Sequence, residues 1–323
     1  MSDYKTLQGH NIKVLDADPS DPRGTVWFNS VDNQLKVQSL GAGAWAASGT
    51  LNTGRQQGGG DGSQTAAIMA GGAPAKTECE EYNGSAWSEV ADINAGRRYT
   101  GVAGTTSAAF AAGGYNGSSR FGNSEEWNGT GWTEGNNIGT ARYSHGACGT
   151  QTAGLIAAGD AADAVTNHTE EYDGTDWTET ANLNTSRYQL AIAGTQTAGL
   201  GAGGAGASPA AGHSEEYNGT GWTEGSNMSV YVDYNMIFGT QSSAVCAGGS
   251  APGVPANPTD VVEEYDGTSW STSTALSATR KLSSDAGTSS LGLVGGGHVA
   301  TNASQTSGEE WTKPTIGHVI TVS

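Results

Sequence analysis

Glu80-Glu81-Tyr82-Asn83-Gly84-Ser85-Ala86-Trp87 is the stretch from which the fold is read, because it returns five more times in whole or in part. The later copies begin at Glu125, Glu170, Glu215, Glu263 and Glu309. The first three steps are 45 residues each and the last two are 48 and 46. A near-constant period in this range marks a repeat architecture. In each full copy an acidic pair precedes an aromatic residue, Asn-Gly or Asp-Gly follows, and a Trp stands five residues after the aromatic. Asn-Gly and Asp-Gly supply the positive φ angles of a hairpin turn, so each copy predicts two antiparallel strands joined by a turn.

Working outward, two more strands fit between copies. The first begins after an Arg, as in Arg97 to Ala103, Arg142 to Gly146 and Arg187 to Ala191. A Gly-Thr-Gln-Thr turn (Gly149 to Thr152, Gly194 to Thr197) leads into a second run rich in Ala and Gly. That run ends at Gly71-Gly72, Gly113-Gly114, Gly159-Asp160, Gly203-Gly204, Gly248-Gly249 and Gly295-Gly296. Four antiparallel strands in about 45 residues describe one blade of a β-propeller. Here the sequence resembles the kelch family, whose repeat carries Gly-Gly at the end of its second strand and a Tyr then a Trp across its third and fourth. The resemblance spans roughly residues 45 to 311, with a Tyr-to-Trp distance shorter than in kelch.

Counting strands gives the blade number. The last unit, Arg280 to Trp311, lacks a Trp strand, and the chain begins with a spare one at Trp45. Pairing the two predicts an all-β, kelch-like propeller of six four-stranded blades closed through both ends, which removes exposed sheet edges. The alternative is seven blades, the seventh drawing on residues 25 to 38 and on His318 to Val322. The expected organisation is a polar arm over 1–24, a β-hairpin over 25–44 and the propeller over 45–323.

Composition narrows the function. The chain has 323 residues, with 14 Lys plus Arg against 32 Asp plus Glu, a formal charge of -18. Such a field repels phosphate backbones and anionic membranes, so nucleic acid is set aside as a partner. No apolar run approaches 18 residues and Met1 to Gly24 holds no basic leader, so neither membrane insertion nor a signal peptide is expected. Cys79, Cys148 and Cys246 occupy unrelated repeat positions and read as buried apolar residues.

The paired glutamates suggest acid–base or metal chemistry, but a pair present in every unit is scaffold. Neighbours in a strand face opposite sides, and one Glu of each pair is expected to hold the repeated Arg (Arg55, Arg97, Arg142, Arg187, Arg280). The turns at Asp173 and Asp266 look like the Asp-box of sialidases, itself structural, and lack one of its residues. Galactose oxidase is similar only in architecture, since His10, His145, His168, His213, His298 and His318 provide no copper set. No catalytic residue, metal site or cofactor is assigned, and no enzyme activity is expected.

The loops between glycine pairs and Glu-Glu strands vary from unit to unit, and loops on a rigid scaffold carry recognition. Binding candidates there are Tyr115, Asn116, Arg120 and Phe121 in the second unit, Asp160, Asp163 and His168 in the third, and His213 in the fourth. The fifth unit breaks the Arg-Tyr rule with Val230-Tyr231-Val232-Asp233-Tyr234, which adds Tyr231, Asp233 and Tyr234; repeat decay is the competing explanation.

Gly24 to Ser30, followed by Asp32 to Val37 and Trp45, looks like the β-hairpin preface of structural proteins from large tailed phages of marine bacteria, cyanobacteria included. Glu215 to Gly225 resembles kelch-type arrays from the same source. The resemblance implies a virion protein made in the host cytoplasm, oligomeric in the particle: a tail-fibre or baseplate appendage whose variable face binds host carbohydrate or protein, and whose arm docks on other virion proteins. The alternatives are a decoration protein of head, collar or tail, and a cellular enzyme on the same scaffold.

Overall fold

Each Tyr-Asn/Asp-Gly-x-x-Trp segment folds as a hairpin whose aromatic residues face each other. In the computed structural model, which describes residues 4–7, 10–15, 26–162, 164–206, 212–251, 258–299 and 303–319, Tyr82 pairs with Trp87 and Tyr217 with Trp222. Their ring centroids lie 5.0 and 5.1 Å apart. The loop between them therefore has four residues, not the two of a primed turn. Only its Gly is left-handed (Gly84, φ 88°). Asn83 instead turns its Oδ1 back to accept the N–H groups of Ser85 and Ala86. The short Tyr-to-Trp spacing thus sets a direct cross-strand aromatic pair, a contact of about 0.5–1.5 kcal/mol beyond area burial.

The described residues contain no α-helix and divide into two units. Residues 45–312 form the larger one, of β-propeller type. Apart from a two-stranded ribbon of Asp160–Ala161 with Ala164–Val165, its sheets among the described residues are four-stranded and antiparallel, each running first strand, second strand, Glu-Glu strand, Trp strand. Their first strands are Gly59–Ser63, Gly101–Thr105, Gly146–Thr150, Ala191–Thr195, Met236–Thr240 and Ser284–Thr288, and the sheets are numbered 1 to 6 in that order. In sheet 6 the fourth strand is Ala44–Ala47, which sets Trp45 against Trp311 at 5.1 Å. First strands of successive sheets are neighbours, and that of sheet 6 also lies beside that of sheet 1.

Second strands such as Ala66–Ala70 and Ala153–Ala157 are buried nearly throughout. Small residues there admit a neighbour's ring: a Cβ on Gly154 would sit 2.5 Å from Phe110, and one on Gly292 would sit 2.2 Å from Phe238.

The Glu-Glu pair divides its work between the two faces of its strand. The first Glu is buried and takes the Arg that precedes its sheet: Arg55 to Glu80 at 2.6 Å, Arg187 to Glu215 at 2.9 Å, Arg142 to Glu170 at 2.9 Å and Arg280 to Glu309 at 3.7 Å, with Arg97 and Glu125 also paired. The second Glu reaches the aromatic residue of the following sheet. Tyr217 donates to Glu171 at 2.7 Å, Trp127 to Glu81 at 3.1 Å and Tyr82 to Glu310 at 2.6 Å.

The smaller unit joins residues 1–44 and 313–323. Its five-stranded sheet runs Tyr4–Leu7, His10–Leu15, Val26–Asn29, Gln34–Leu40, Thr315–Val319. This corrects two expectations. Residues 1–24 are not all arm, because Tyr4–Leu7 and His10–Leu15 pair as strands. The propeller-type unit ends at Thr312 and not at 323, because Thr315–Val319 pairs with Gln34–Leu40. Residues 26–38 and 318–319, the described parts of the segments considered for a seventh blade, belong to this sheet and its turn, and its parallel pair, His10–Leu15 with Val26–Asn29, sets it apart from the antiparallel meanders.

Removing one partner of a buried ion pair strands the other in low dielectric, at a cost of about 3–5 kcal/mol. Arg187→Ala is expected to lower unfolding free energy by that amount in urea titrations, whereas Lys76→Ala, at a half-exposed pair, should change it by less than about 1 kcal/mol.

Candidate functional site

The residue two places after each scaffold Arg, or after Val232 in sheet 5, adopts the left-handed conformation. These are Gln57, Tyr99, Ser144, Gln189, Tyr234 and Leu282, with φ between 55° and 64°. Non-glycine residues pay for that backbone, and six at equivalent positions mark a constrained feature. They are linked by main-chain hydrogen bonds: Tyr99 N to Gln57 O at 2.6 Å, Ser144 N to Tyr99 O at 3.1 Å, Gln189 N to Ser144 O at 2.7 Å, Leu282 N to Tyr234 O at 3.1 Å and Gln57 N to Leu282 O at 2.9 Å. Residues of this rim line a hollow that continues into a cavity of about 180 Å³ bounded by all six first strands.

Around the rim an aromatic platform forms. Tyr99 stacks with Tyr234 across 6.4 Å and meets Tyr143 at 5.7 Å; Tyr143 stacks with Tyr115 at 5.0 Å. Cations lie over these rings: Arg98 over Tyr99 and Tyr115 at 5.6 and 5.4 Å, Arg120 over Tyr143 at 5.5 Å and Lys281 over Tyr234 at 5.8 Å. Such contacts contribute roughly 0.5–1 kcal/mol each at exposed sites. Of the nine Lys and Arg in residues 45–312, five are the buried arginines, and three of the remaining four stand here. Arg120 also donates from Nη2 and Nε to Asp160 Oδ1 at 2.7 and 3.0 Å. Burial raises the Tyr99, Tyr143 and Tyr234 phenols, so all three remain neutral donors at ordinary pH.

The sequence candidates divide between this platform and the scaffold. Tyr115, Arg120 and Asp160 meet around Tyr143. Asp233 and Tyr234 share the rim with Lys281, and burial raises the Asp233 carboxyl against the opposing pull of Lys281. Asn116 forms its own turn, its Oδ1 accepting from Ser118 N and Ser119 N. Phe121 lies under the buried Arg97 guanidinium at 4.7 Å. His213 and His168 serve through main-chain carbonyls, to Arg187 at 2.9 Å and to Ala158 N at 2.9 Å. Tyr231 is 54% exposed and flanks Gly212. Asp163 lies outside the described residues.

Sequence reasoning missed Arg98, Tyr99, Tyr143 and Lys281 because they adjoin the repeated Arg and read as part of it. Aligning the six units exposes Arg98, Tyr143 and Lys281, since the place after the Arg (or Val232) holds Gln56, Arg98, Tyr143, Tyr188, Asp233 and Lys281 in turn. Deeper in, Asp61 and Asp285 replace residues that are apolar or glycine in the other sheets. Asp61 accepts from Gly62 N and from Gly104 N of sheet 2 at 2.7 and 2.8 Å; Asp285 accepts from Ile237 N of sheet 5 at 3.2 Å. Burial lifts Asp61 from its ordinary 3.8 to about 6. Burial, then the charge of Asp61, raises Asp285 well above 3.8. Burial and then the charge of Arg142 lower His145 to about 3, so its imidazole is neutral. Among the described residues no three His, Cys, Asp or Glu converge as a metal site, and no helix is long and apolar enough to cross a membrane.

These shifts have opposite signs in stability. Unfolded His145 takes a proton below about 6.5 and the folded residue only near 3, so acidification through that window favours unfolding. Folded Asp61 holds its proton up to about 6 and the unfolded residue only to 3.8, so its destabilising effect is fully present above pH 6 and gone below 3.8. Asp61→Asn should therefore be more stable than wild type in urea at pH 7.5 and lose the advantage by about pH 4. His145→Gln should lose less stability than wild type between pH 6.5 and 4.

No protein-family model matches the chain, and no curated protein matches it. Among solved structures, the one titled "Structure of YjhT" superposes with a TM-score of 0.70 at 13% identity, over 83% of this chain and 99% of that one. At that identity the likeness speaks to the fold, and it supports a propeller-like all-β architecture.

Proposed function

We propose that this chain is a structural protein of a tailed-phage virion, a tail-fibre or baseplate appendage in which a closed six-bladed propeller presents its rim face to carbohydrate on the host surface. The aromatic platform carries the recognition half of this reading. Four tyrosines around one opening, with cations laid over their rings, offer apolar faces to sugar rings, and their hydroxyls offer donors to sugar hydroxyls and anionic substituents. It stands on the face with the most varied loops, where the scaffold leaves sequence free to differ.

Closure is supported by contacts that join sheets 6 and 1 as other sheets are joined. Gln64 donates to the carbonyls of Gly292 and Trp311 at 3.2 and 2.7 Å, the role that Gln151, Gln196 and Gln241 fill elsewhere. The virion setting rests on the resemblance of residues 24–45 and of the repeats to phage proteins. The separate sheet built from both ends of the chain suits a docking module.

Antibody-gold labelling of the intact particle tests the setting: label at distal tail or fibre tips is expected, and label on the head or along the tail would favour a decoration protein and overturn the adhesin. For recognition, Tyr143→Ser and Arg120→Gln should each weaken binding of the purified chain to host cells or their extracted polysaccharide by roughly tenfold, while Thr130→Ala, in an exposed Asn-Gly turn, should not. Unchanged binding by both rim variants would sink the assignment of this face.

A further inference from the structure

The residue after each scaffold Arg (or Val232) meets the residue after the second-strand glycines across a short main-chain contact. The six pairs are Gln56 with Ala73, Arg98 with Tyr115, Tyr143 with Asp160, Tyr188 with Ala205, Asp233 with Ser250 and Lys281 with His298. Because Gln, Ala and Ser occur at these places, the scaffold tolerates small or neutral side chains here. The second unit instead sets a cation against an aromatic ring. Arg98 and Tyr115 exchange both main-chain hydrogen bonds at 2.9 Å, and Tyr115 pairs in turn with Arg120. Directly opposed residues of an antiparallel pair point to the same side, so Arg98, Tyr115 and Arg120 stand in one row. Arg98 Cζ lies 5.4 Å from the Tyr115 ring centroid and 5.6 Å from that of Tyr99, so rings from two elements hold the guanidinium.

A second, independent observation concerns charge. The other cations of residues 45–312 lie with carboxylates. Five arginines hold the scaffold glutamates, Arg120 holds Asp160, Lys76 meets Glu78 at 3.5 Å, and Lys281 acts on Asp233. Arg98 differs. Among the described residues of 45–312 it is the Arg with neither an ion pair nor a side-chain hydrogen bond, and its Nε is shut off from water without an acceptor. A guanidinium partly withdrawn from water and left unmatched costs desolvation free energy. An anion offsets that cost, and its paired oxygens match the fork of Nη1 and Nη2.

We propose that Arg98 is the anion-binding position of the rim, where Nη1 and Nη2 take a carboxylate, sulfate or phosphate substituent of a saccharide and Tyr115 serves as the positioning residue. This rests on the carbohydrate reading above and narrows it to acidic sugars. The three substituents share the paired oxygens that the fork requires. A chain of net charge -18 repels anions as a whole, so saturable binding of an acidic sugar demands a local cation of this kind.

Titration calorimetry of the full chain tests this with glucuronate and the sulfate and phosphate monoesters of glucose. Glucose is the neutral counterpart, and inorganic sulfate and phosphate are the anions without a sugar. At least one acidic sugar is expected to bind saturably, roughly tenfold or more tighter than glucose. Arg98→Gln introduces the residue that the first unit carries as Gln56, so it should fold as wild type and lose that preference while its response to glucose is unchanged. Tyr115→Ala, the choice of the fourth unit at Ala205, should weaken acidic-sugar binding roughly two- to fivefold. Lys76→Gln removes the same charge elsewhere and should leave binding as it is. Acidic sugars bound no better than glucose, a preference that survives Arg98→Gln, binding of the inorganic ions alone, or no binding of any probe would overturn the proposal. The carbohydrate reading is decided separately, by whether the wild-type chain binds extracted host polysaccharide.

Discussion

A guanidinium buried beside a carboxylate organises five of the six repeats, and the other features depend on where it sits. Arg187 is representative. Its Nη1 donates to the carbonyls of Gly203 and His213 and its Nη2 to Glu215, while Glu215 Oε2 accepts from Asn184 N at 2.7 Å. One side chain thereby ties the end of the second strand, the loop that follows, the third strand and the incoming linker. A buried ion pair contributes little net stability against an apolar substitute. Its value lies in geometry, because each of its hydrogen bonds has one satisfied arrangement and a displaced loop would strand a charge.

That geometry explains why the platform stands where it does. The two residues after each Arg leave the buried network and turn through a left-handed rim residue into the first strand. The main chain is held on one side by the ion pair and on the other by the rim hydrogen bonds, so these side chains emerge around the opening whatever they are. Gln56, Arg98, Tyr143, Tyr188, Asp233 and Lys281 differ freely for that reason. In sheet 5, Val232 takes the place of the Arg, and Glu263 is satisfied by Ser229 N and Val230 N at 2.9 Å each. The departure noticed in the sequence is thus a local rewiring, and its consequence is the acid and tyrosine that it leaves beside Lys281.

Contacts between sheets follow equally simple rules. Glu171, Glu81 and Glu310 reach aromatic residues of the next sheet, glutamines of the Gly-Thr-Gln-Thr turns reach back to the previous one, and glycines at 154 and 292 make room for phenylalanine. A turn read as mere punctuation is also a clasp. The cysteines are packing residues by the same logic: all three are free and buried, and burial raises their thiols, Cys79 to about 12.

The sequence alone determined the strand order within each unit, the aromatic hairpin, the scaffold role of the Glu-Glu pair and its Arg, and the face on which variation collects. These are local or periodic properties, and six copies supply the comparison that one copy cannot. Only the tertiary structure decided which varied residues meet. Tyr115, Arg120 and Asp160 were legible because they lie in the varied loops of the second and third units, whereas Tyr99 and Tyr143 were hidden beside a repeated Arg, and Asn116 and Phe121 proved to serve the backbone and the scaffold. The pairing of Tyr99 with Tyr234, 135 positions apart, and the approach of the first strand of sheet 6 to that of sheet 1 depend on bringing distant repeats around one opening. So does the joining of residues 315–319 to 34–40, since strand partners across such a separation are chosen by main-chain hydrogen bonds and packing that no local pattern records.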